Sequence, residues 1–534
     1  MLGVSVESSW VYPLAWIKLL LSSLVVSLTR DQTIAYVIYQ VTFHPLAKYP
    51  GPFIAKLTSL YSVYHAARGD RHSDLYRLHQ KHGSFVRFGP NHVSILSASA
   101  LEQIYGHQAN VQKGSWYSVY YGISIFNAID KNVHARKKRV MAQAFSDRAV
   151  RGMEPHILSA IRDWCAALGD NIGNARSEVH DAVWSTPKDL AHWAAYMIFD
   201  VLGEICYGET FRTSLGSDNR YFLDLMVSHV RFLNIIGQMS SLKYMKLGTI
   251  LMRGSRERRQ NQIAFSQRQL RKRLDSSTSH TKNRRDIIYY LQEARDPETG
   301  QGYSEPELIY ETTLLLGAGS DTANTALASI FYFLVHHPDV LQRLTATIRD
   351  SFPDVEAIAS GPLLNSMTYL RACIDESLRL CPPVPMPLPR QVLSGGLIVD
   401  GHFFRQGYTV GVPTYSLHHS EQHFQDPFKF DPKRWLVRGA QSVAIDEGRS
   451  LEEVSRAREA FAPFSIGPRA CIGRGVALLE LHVGVARALW LYDIRIAPGH
   501  EKAGVGPQGE YKIKDHFIVG KEGPVVQFRR ATRS

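Results

Sequence analysis

The sequence predicts a mainly α protein with small β-sheets, built as one large globular body behind a short N-terminal anchor helix. Three observations carry this. Several long apolar segments recur at helical spacing. Strand-like runs are few and short. A 19-residue apolar stretch, Trp10 to Leu28, stands ahead of everything else.

The 534 residues are 45% hydrophobic and 21% charged, an ordinary globular balance. No Gly/Ser-rich or Pro-rich linker divides them, so the expected organisation is residues 1–42 as membrane anchor and 43–534 as catalytic domain. Residues Met1 to Ser9 lack Lys and Arg and contain Glu7, which argues against a cleaved signal peptide. Positive charge follows the apolar stretch at Arg30, Lys48 and Lys56. The excess of cations on that side predicts a single-pass membrane protein with its body in the cytoplasm. Lys18 lies inside the stretch and would have to snorkel. A weaker apolar run, Thr33 to Phe43, is expected at the membrane interface. The segment Phe43-His44-Pro45 to Tyr49-Pro50-Gly51-Pro52 reads as a stiff link, because proline fixes φ.

Along the body, helices are predicted at Leu75–His82, Val133–Phe145, Asp189–Tyr207, Glu305–His336, Tyr369–Leu380 and Ile472–Leu491. A strand pair is predicted over Phe85–Leu96, with a turn at Gly89-Pro90-Asn91. Short strands are expected around Asp400-Gly401 between Gly395 and Val412.

The net charge of +12 is concentrated. Arg253 to Arg285 holds eleven Lys/Arg against Glu257 and Asp275. An anionic membrane surface, an acidic partner and a solvated helix face and loop are all consistent with it. With one aromatic residue, Phe265, and no binding motif, the run does not point to nucleic acid. The five cysteines form no CxxC pair and no zinc spacing, which excludes a disulfide framework and indicates a reducing compartment. Cys165, Cys206, Cys373 and Cys381 sit among apolar neighbours. Cys471 does not.

Cys471 lies in Phe464-Ser465-Ile466-Gly467-Pro468-Arg469-Ala470-Cys471-Ile472-Gly473, directly before a predicted helix. A helix N-terminus favours a thiolate, and nearby glycines let backbone approach a large planar group. The stretch resembles the cytochrome P450 pattern FxxGxRxCxG at every fixed position. Glu376-Ser377-Leu378-Arg379 resembles the family's ExxR helix, and Phe430-Asp431-Pro432-Lys433-Arg434-Trp435 its later Arg-bearing segment. Ala318-Gly319-Ser320-Asp321-Thr322 resembles the oxygen-binding stretch of the long central helix, with Ala323 where many relatives carry a second hydroxyl.

The resemblance implies haem b with Cys471 as iron ligand. It implies haem contacts from His134, Lys138, Arg390 and Arg469. Lys138 stands in place of the usual Arg, with Arg136 or Arg139 available to compensate. Glu376, Arg379 and Arg434 are implied to form a structural charge cluster. Asp321 and Thr322 are implied as the catalytic proton-relay pair. Gly319 is expected to let the central helix pass close over the haem; a turn and helix cap at Gly319–Thr322 is the competing reading.

The implied activity is insertion of one oxygen atom of O2 into a lipophilic small molecule. The electrons would come from NADPH through a separate NADPH–cytochrome P450 reductase, at the endoplasmic reticulum. Tyr105-Gly106-His107, Lys113 to Tyr117 and His134 to Phe145 look most like the filamentous-fungal branch that includes benzoate 4-monooxygenase and secondary-metabolite oxidases. An aromatic-acid hydroxylase, a reductase-independent haem-thiolate isomerase or dehydratase, and a haem sensor without turnover are the alternatives. Five aromatics, Trp116, Tyr117, Tyr120, Tyr121 and Phe126, are candidates to line the substrate pocket, with Met386 and Leu388 opposite.

Overall fold

The computed structural model describes residues 31–169, 183–241, 246–275, 284–440 and 447–532. The anchor expected at Trp10 to Leu28 lies outside the described residues. Among the described residues no helix is long and apolar enough to cross a membrane.

Seven helices frame the site. They are α1 (Lys131–Ala142), α2 (Asp147–Leu168), α3 (Leu190–Leu202), α4 (Tyr221–Gly237), α5 (Glu305–His336), α6 (Thr368–Leu380) and α7 (Arg474–Leu491). The apolar periodicity read from the sequence places α5 at its observed bounds. Ser304 caps it, exchanging hydrogen bonds with Glu307 in a capping box. α5 is the spine of the core. α3 packs along it, and α6, α7 and the helix Lys246–Asp275 also lie against it. Gly317 and Gly319 do not break it, although each weakens a helix by about 1 kcal/mol relative to alanine. Packing on several sides outweighs that local cost, and the turn-and-cap reading of Gly319–Thr322 is excluded.

The main sheet contains β1 (Phe85–Gly89), β2 (His92–Ile95), β3 (Val111–Lys113), β4 (Arg390–Val392) and β5 (Thr409–Gly411), in the order β1-β2-β5-β4-β3. β2 and β5 run parallel, and the other neighbours are antiparallel. Its register sets Lys113 directly opposite Arg390. A hairpin, β6 (Ile513–His516) and β7 (Ile518–Lys521), turns at Phe517, which holds a left-handed φ of 79°. Asp515 accepts the Phe517 N–H at 2.8 Å and stabilises that tight turn.

Residues 31–38 are helical, and the segment beyond them is bound into the body. Arg87 of β1 is fully buried and donates to the Gln40 carbonyl at 2.8 Å and to Gln40 Oε1 at 2.6 Å. Gln40 therefore belongs physically with the body, although it falls on the anchor side of the expected 42/43 boundary.

Part of the basic segment lies on the helix Lys246–Asp275. Several of its cations have intramolecular partners. Lys272 contacts Glu209, Arg273 contacts Asp286 at 2.6 Å, and Arg284 contacts Glu204. These pairs favour the helix-face reading of the charge run.

Candidate active site

Cys471 is the one cysteine accessible to solvent-sized probes, while Cys165, Cys206, Cys373 and Cys381 are buried. It is accessible yet hemmed in by protein. That burial pushes its thiol up, and the Gly473 N–H and the Arg474 cation pull it part of the way back. The helix after it begins at Arg474, two residues later than expected. The sequence expectation of a thiolate favoured by the helix end is thus met only in part by the protein groups. A bound metal ion deprotonates a coordinating thiol outright.

The loop before Cys471 is held by backbone geometry. Cys471 N–H donates to the Phe464 carbonyl at 2.9 Å. Gly467 has a φ of +70°, and a Cβ there would fall 2.1 Å from the Tyr105 carbonyl oxygen. No side chain fits, so this glycine is required by the protein itself.

A group of cations surrounds one side of the site, and the acid that acts on it is Asp130, beside Arg469. Arg390 is buried; its Nη1 reaches the Pro389 carbonyl at 3.3 Å, and its guanidinium lies over the Tyr105 ring. Arg469 donates to the carbonyls of Ala128 at 2.5 Å and Ile129 at 3.1 Å. Lys138 donates to the Pro468 carbonyl at 2.7 Å. Lys113 is buried and donates to the Phe126 carbonyl.

Burial and mutual repulsion disfavour these charges. The Lys113 ammonium is driven well below its usual range by burial, Arg390 and Arg469. Arg469 is lowered to about 10 by burial and Arg390. His134 is pushed to about 3 by burial and by Arg469, Lys113, Lys138 and Arg390, so it is neutral. Uncompensated buried cations are costly. A dianionic partner at this place would remove that cost, and the two propionates of a haem supply one. The donors present therefore fit the group.

Two expectations are corrected here. Arg136 and Arg139 do not compensate for Lys138. Arg136 pairs with Glu307, and Arg139 pairs with Asp296 at 2.5 Å. Lys113 joins the cluster instead. Its arrival depends on pairing across β3 and β4, between segments 277 residues apart, and no local sequence signal reveals it. Gly319 also serves a different purpose. A Cβ there would meet Leu202 of α3 at 3.0 Å, so its small size accommodates helix packing.

Beyond the first turn of α5, the exposed residue is Ala318, with Thr322 one turn on partly accessible. The Thr322 hydroxyl donates to the Ala318 carbonyl at 2.7 Å. Asp321 sits beside it; burial raises its carboxyl, and the Lys521 ammonium opposes that shift.

The predicted aromatics cluster. Trp116, Tyr117 and Tyr120 pack around Phe126, with ring centroids 5.3–6.5 Å away. Phe517, which the sequence reading missed, stacks on Trp116 at 4.6 Å. Tyr121 is 36% exposed. Met386 packs with Leu75 and Val86 and, as expected, also lines one cavity with Trp116 and Phe517.

The structural charge cluster is as expected. Glu376 and Arg379 are fully buried and share two 2.8 Å hydrogen bonds. Arg434 Nε lies 3.2 Å from Glu376 Oε1, and Trp435 donates to Oε2 at 3.0 Å.

Comparison with known proteins agrees with this geometry. Residues 47–507 match the family described as Cytochrome P450. The chain is 36% identical over 500 residues to cytochrome P450 monooxygenase poxM of Penicillium oxalicum, covering 93% of this chain and 92% of that protein. It is also 36% identical over 500 residues to cytochrome P450 monooxygenase atnE of Emericella nidulans, covering 93% and 94%. Cytochrome P450 monooxygenase fscF of Fusarium equiseti is 33% identical over 546 residues, covering 98% of each. The crystal structure of the cytochrome P450DA heme domain superposes with a TM-score of 0.69 at 18% identity, covering 91% of this chain and 97% of that one, which shows the shared fold. The cysteine loop, the buried Glu376–Arg379 pair and these matches together establish that this chain belongs to the cytochrome P450 family of haem-thiolate monooxygenases.

Proposed function

We propose that this enzyme inserts one oxygen atom of O2 into a lipophilic small molecule of fungal secondary metabolism, with NADPH electrons delivered by NADPH–cytochrome P450 reductase. The observation that carries the reading is that Cys471 is accessible and that the central helix is unbroken, with Ala318 exposed and Asp321 and Thr322 partly accessible on it. The fungal monooxygenases similar to it support the metabolic setting.

Lys113, Lys138, Arg390 and Arg469 would hold the haem propionates, His134 would contribute a neutral ring nitrogen, and Cys471 would ligate the iron. Bound there, haem supplies the redox centre for dioxygen reduction, with the thiolate donating electron density that favours O–O cleavage. The protein's own work is to bind, exclude water and move protons. The Trp116–Phe126–Phe517 cluster offers an apolar wall for the substrate. Asp321 is the proton donor, and the Thr322 hydroxyl positions that proton.

The proposed location is the endoplasmic reticulum membrane, with the body in the cytoplasm. Exposed Ile34, Ile38, Phe43, Phe53, Ile54 and Leu60 support it, because such side chains on adjoining helices suit a lipid interface. Deletion of residues 1–30, which keeps the Gln40–Arg87 contact, is expected to release much of the protein from membranes. Complete retention in the membrane fraction would refute the anchor.

The activity is tested by reconstituting the purified enzyme with reductase, NADPH and extracts of the producing fungus under isotopically heavy O2. One heavy oxygen atom in a new product is expected. Product formation without reductase or O2 would overturn the reading.

A further inference from the structure

The hairpin β6–β7 lies along α5 and brings a lysine to the acid–alcohol pair. The Thr325 hydroxyl lies 3.5 Å from the Val519 carbonyl, which fixes β7 beside this turn of the helix. Asn324, 4% exposed, bridges the elements. With its amide oriented so that both atoms are satisfied, its oxygen accepts from Lys521 Nζ at 3.1 Å and its nitrogen donates to the Ala191 carbonyl of α3 at 3.2 Å. Asp321 and Asn324 are three residues apart on the helix and share a face. The face that carries Asp321 is therefore the face that Lys521 approaches.

The polar row continues outward. Asp189, just ahead of α3, accepts the Gly523 N–H at 3.1 Å, two residues beyond Lys521. Its other oxygen lies 3.3 Å from Nδ1 of His192, whose side chain is 63% exposed. His192 and Asp189 thus lie at the solvent side of the segment that carries Lys521, whose ammonium reaches Asn324 on the central helix.

We infer that Lys521 is a positioning residue for proton delivery: its ammonium, held by Asn324, compensates the carboxylate that Asp321 becomes each time it gives up a proton. The balance is simple. One proton leaves the Asp321 carboxyl, the resulting carboxylate pairs with the Lys521 ammonium, and one proton returns from solvent by way of the His192–Asp189 end of the row. The electrostatics agree. Among the described residues, the Lys521 ammonium is the charge that opposes the rise which burial imposes on the Asp321 carboxyl. Burial lowers the Lys521 ammonium, and Asp321, Cys381 and Asp189 each oppose that lowering. Tyr511, buried nearby, donates to the Gly523 carbonyl at 2.5 Å and brings no charge.

This inference rests on the reading of Asp321 as proton donor, so its first test does not depend on turnover. The probe is the protonated-carboxyl infrared band that is present in wild type and absent from Asp321→Asn. Its pH midpoint is measured on the holoenzyme. In Lys521→Gln, which can still hydrogen-bond Asn324, the midpoint should rise by about one pH unit or more. Lys521→Arg should restore it to near the wild-type value. The second readout is the share of consumed oxygen released as hydrogen peroxide by the reductase-supported enzyme without added substrate. It should rise several-fold in Lys521→Gln and return in Lys521→Arg. An unchanged infrared midpoint in a folded Lys521→Gln overturns the inference. An infrared shift in an enzyme that forms no oxygenated product counts against the proposed function alone.

Discussion

Glu376 and Arg379 face each other one turn apart on α6, joined by two parallel 2.8 Å hydrogen bonds, with no part of either side chain in contact with solvent. The remaining donors of Arg379 reach the carbonyls of His418 at 2.8 Å, Pro427 at 2.6 Å and Lys429 at 3.2 Å. One ion pair therefore ties α6 to the long irregular chain that leads toward the cysteine loop. Burial alone would raise the Glu376 carboxyl, and Arg379 and Arg434 reverse that and lower it.

Breaking this pair from one side leaves a buried charge. Arg379→Met and Glu376→Gln are each expected to cost about 3–5 kcal/mol. Thermal unfolding of the holoenzyme and the fraction of chain recovered with haem measure this. A shift in midpoint of less than about 2 °C in either variant would show that the pair is dispensable.

The iron ligand is tested spectroscopically. The reduced carbon monoxide complex should show the red-shifted Soret band of a thiolate-ligated haem. Cys471→Ser should lose it. Cys381→Ser should keep it, because the buried Cys381 thiol is pushed up to about 12 by burial and stays protonated. Retention of the band in Cys471→Ser would remove the basis of the functional reading.

Lys113 gives a test with opposite signs. Lys113→Met removes a buried amine that has no carboxylate partner among the described residues. The haem-free protein should become more stable by about 1–3 kcal/mol, while the holoprotein holds haem less firmly. Chemical denaturation of both forms, together with the rate of haem transfer to an acceptor protein, separates the two effects. Slower haem loss in the variant would contradict the assignment of Lys113 to the propionate side.

Thr322→Ala should keep NADPH consumption and divert it to hydrogen peroxide, since Ala323 offers no substitute hydroxyl. Asp321→Asn should slow product formation by roughly 10²-fold, as expected for loss of a positioned proton donor. The ratio of product to NADPH consumed is the measurement. Wild-type coupling in Thr322→Ala would exclude the helix as the proton route.

Glu480 on α7 predicts a pH dependence of stability. It is 2% exposed, its Oε1 has no hydrogen-bond partner among the described residues, and burial raises its carboxyl from 4.5 to about 8. The folded state then holds a proton that the unfolded chain has released. Its stabilising effect is complete below pH 4.5 and is lost as the pH climbs through 8. Glu480→Gln should flatten this decline and exceed wild type at pH 9 by on the order of a few kcal/mol. Parallel stability curves for the two proteins between pH 5 and 9 would show that Glu480 does not titrate in this way.

The sequence by itself determined what is written in local spacing. The bounds of α5, the strand pair Phe85–Gly89 and His92–Ile95, the Pro-stopped α6 and the identity of Cys471 all follow from residues within a few positions of one another. Periodicity, turn residues and a five-point motif carry that information without knowledge of the fold. Tertiary structure alone decided which charges meet. It set Lys113 against Arg390, turned Arg136 and Arg139 toward acids of distant segments, bound Gln40 to Arg87, and used the small volume of Gly319 to seat Leu202. The physical reason is range. A side chain's helical or strand preference is fixed by its immediate neighbours, whereas the partner of a buried charge is fixed by register and packing between elements that lie tens to hundreds of residues apart.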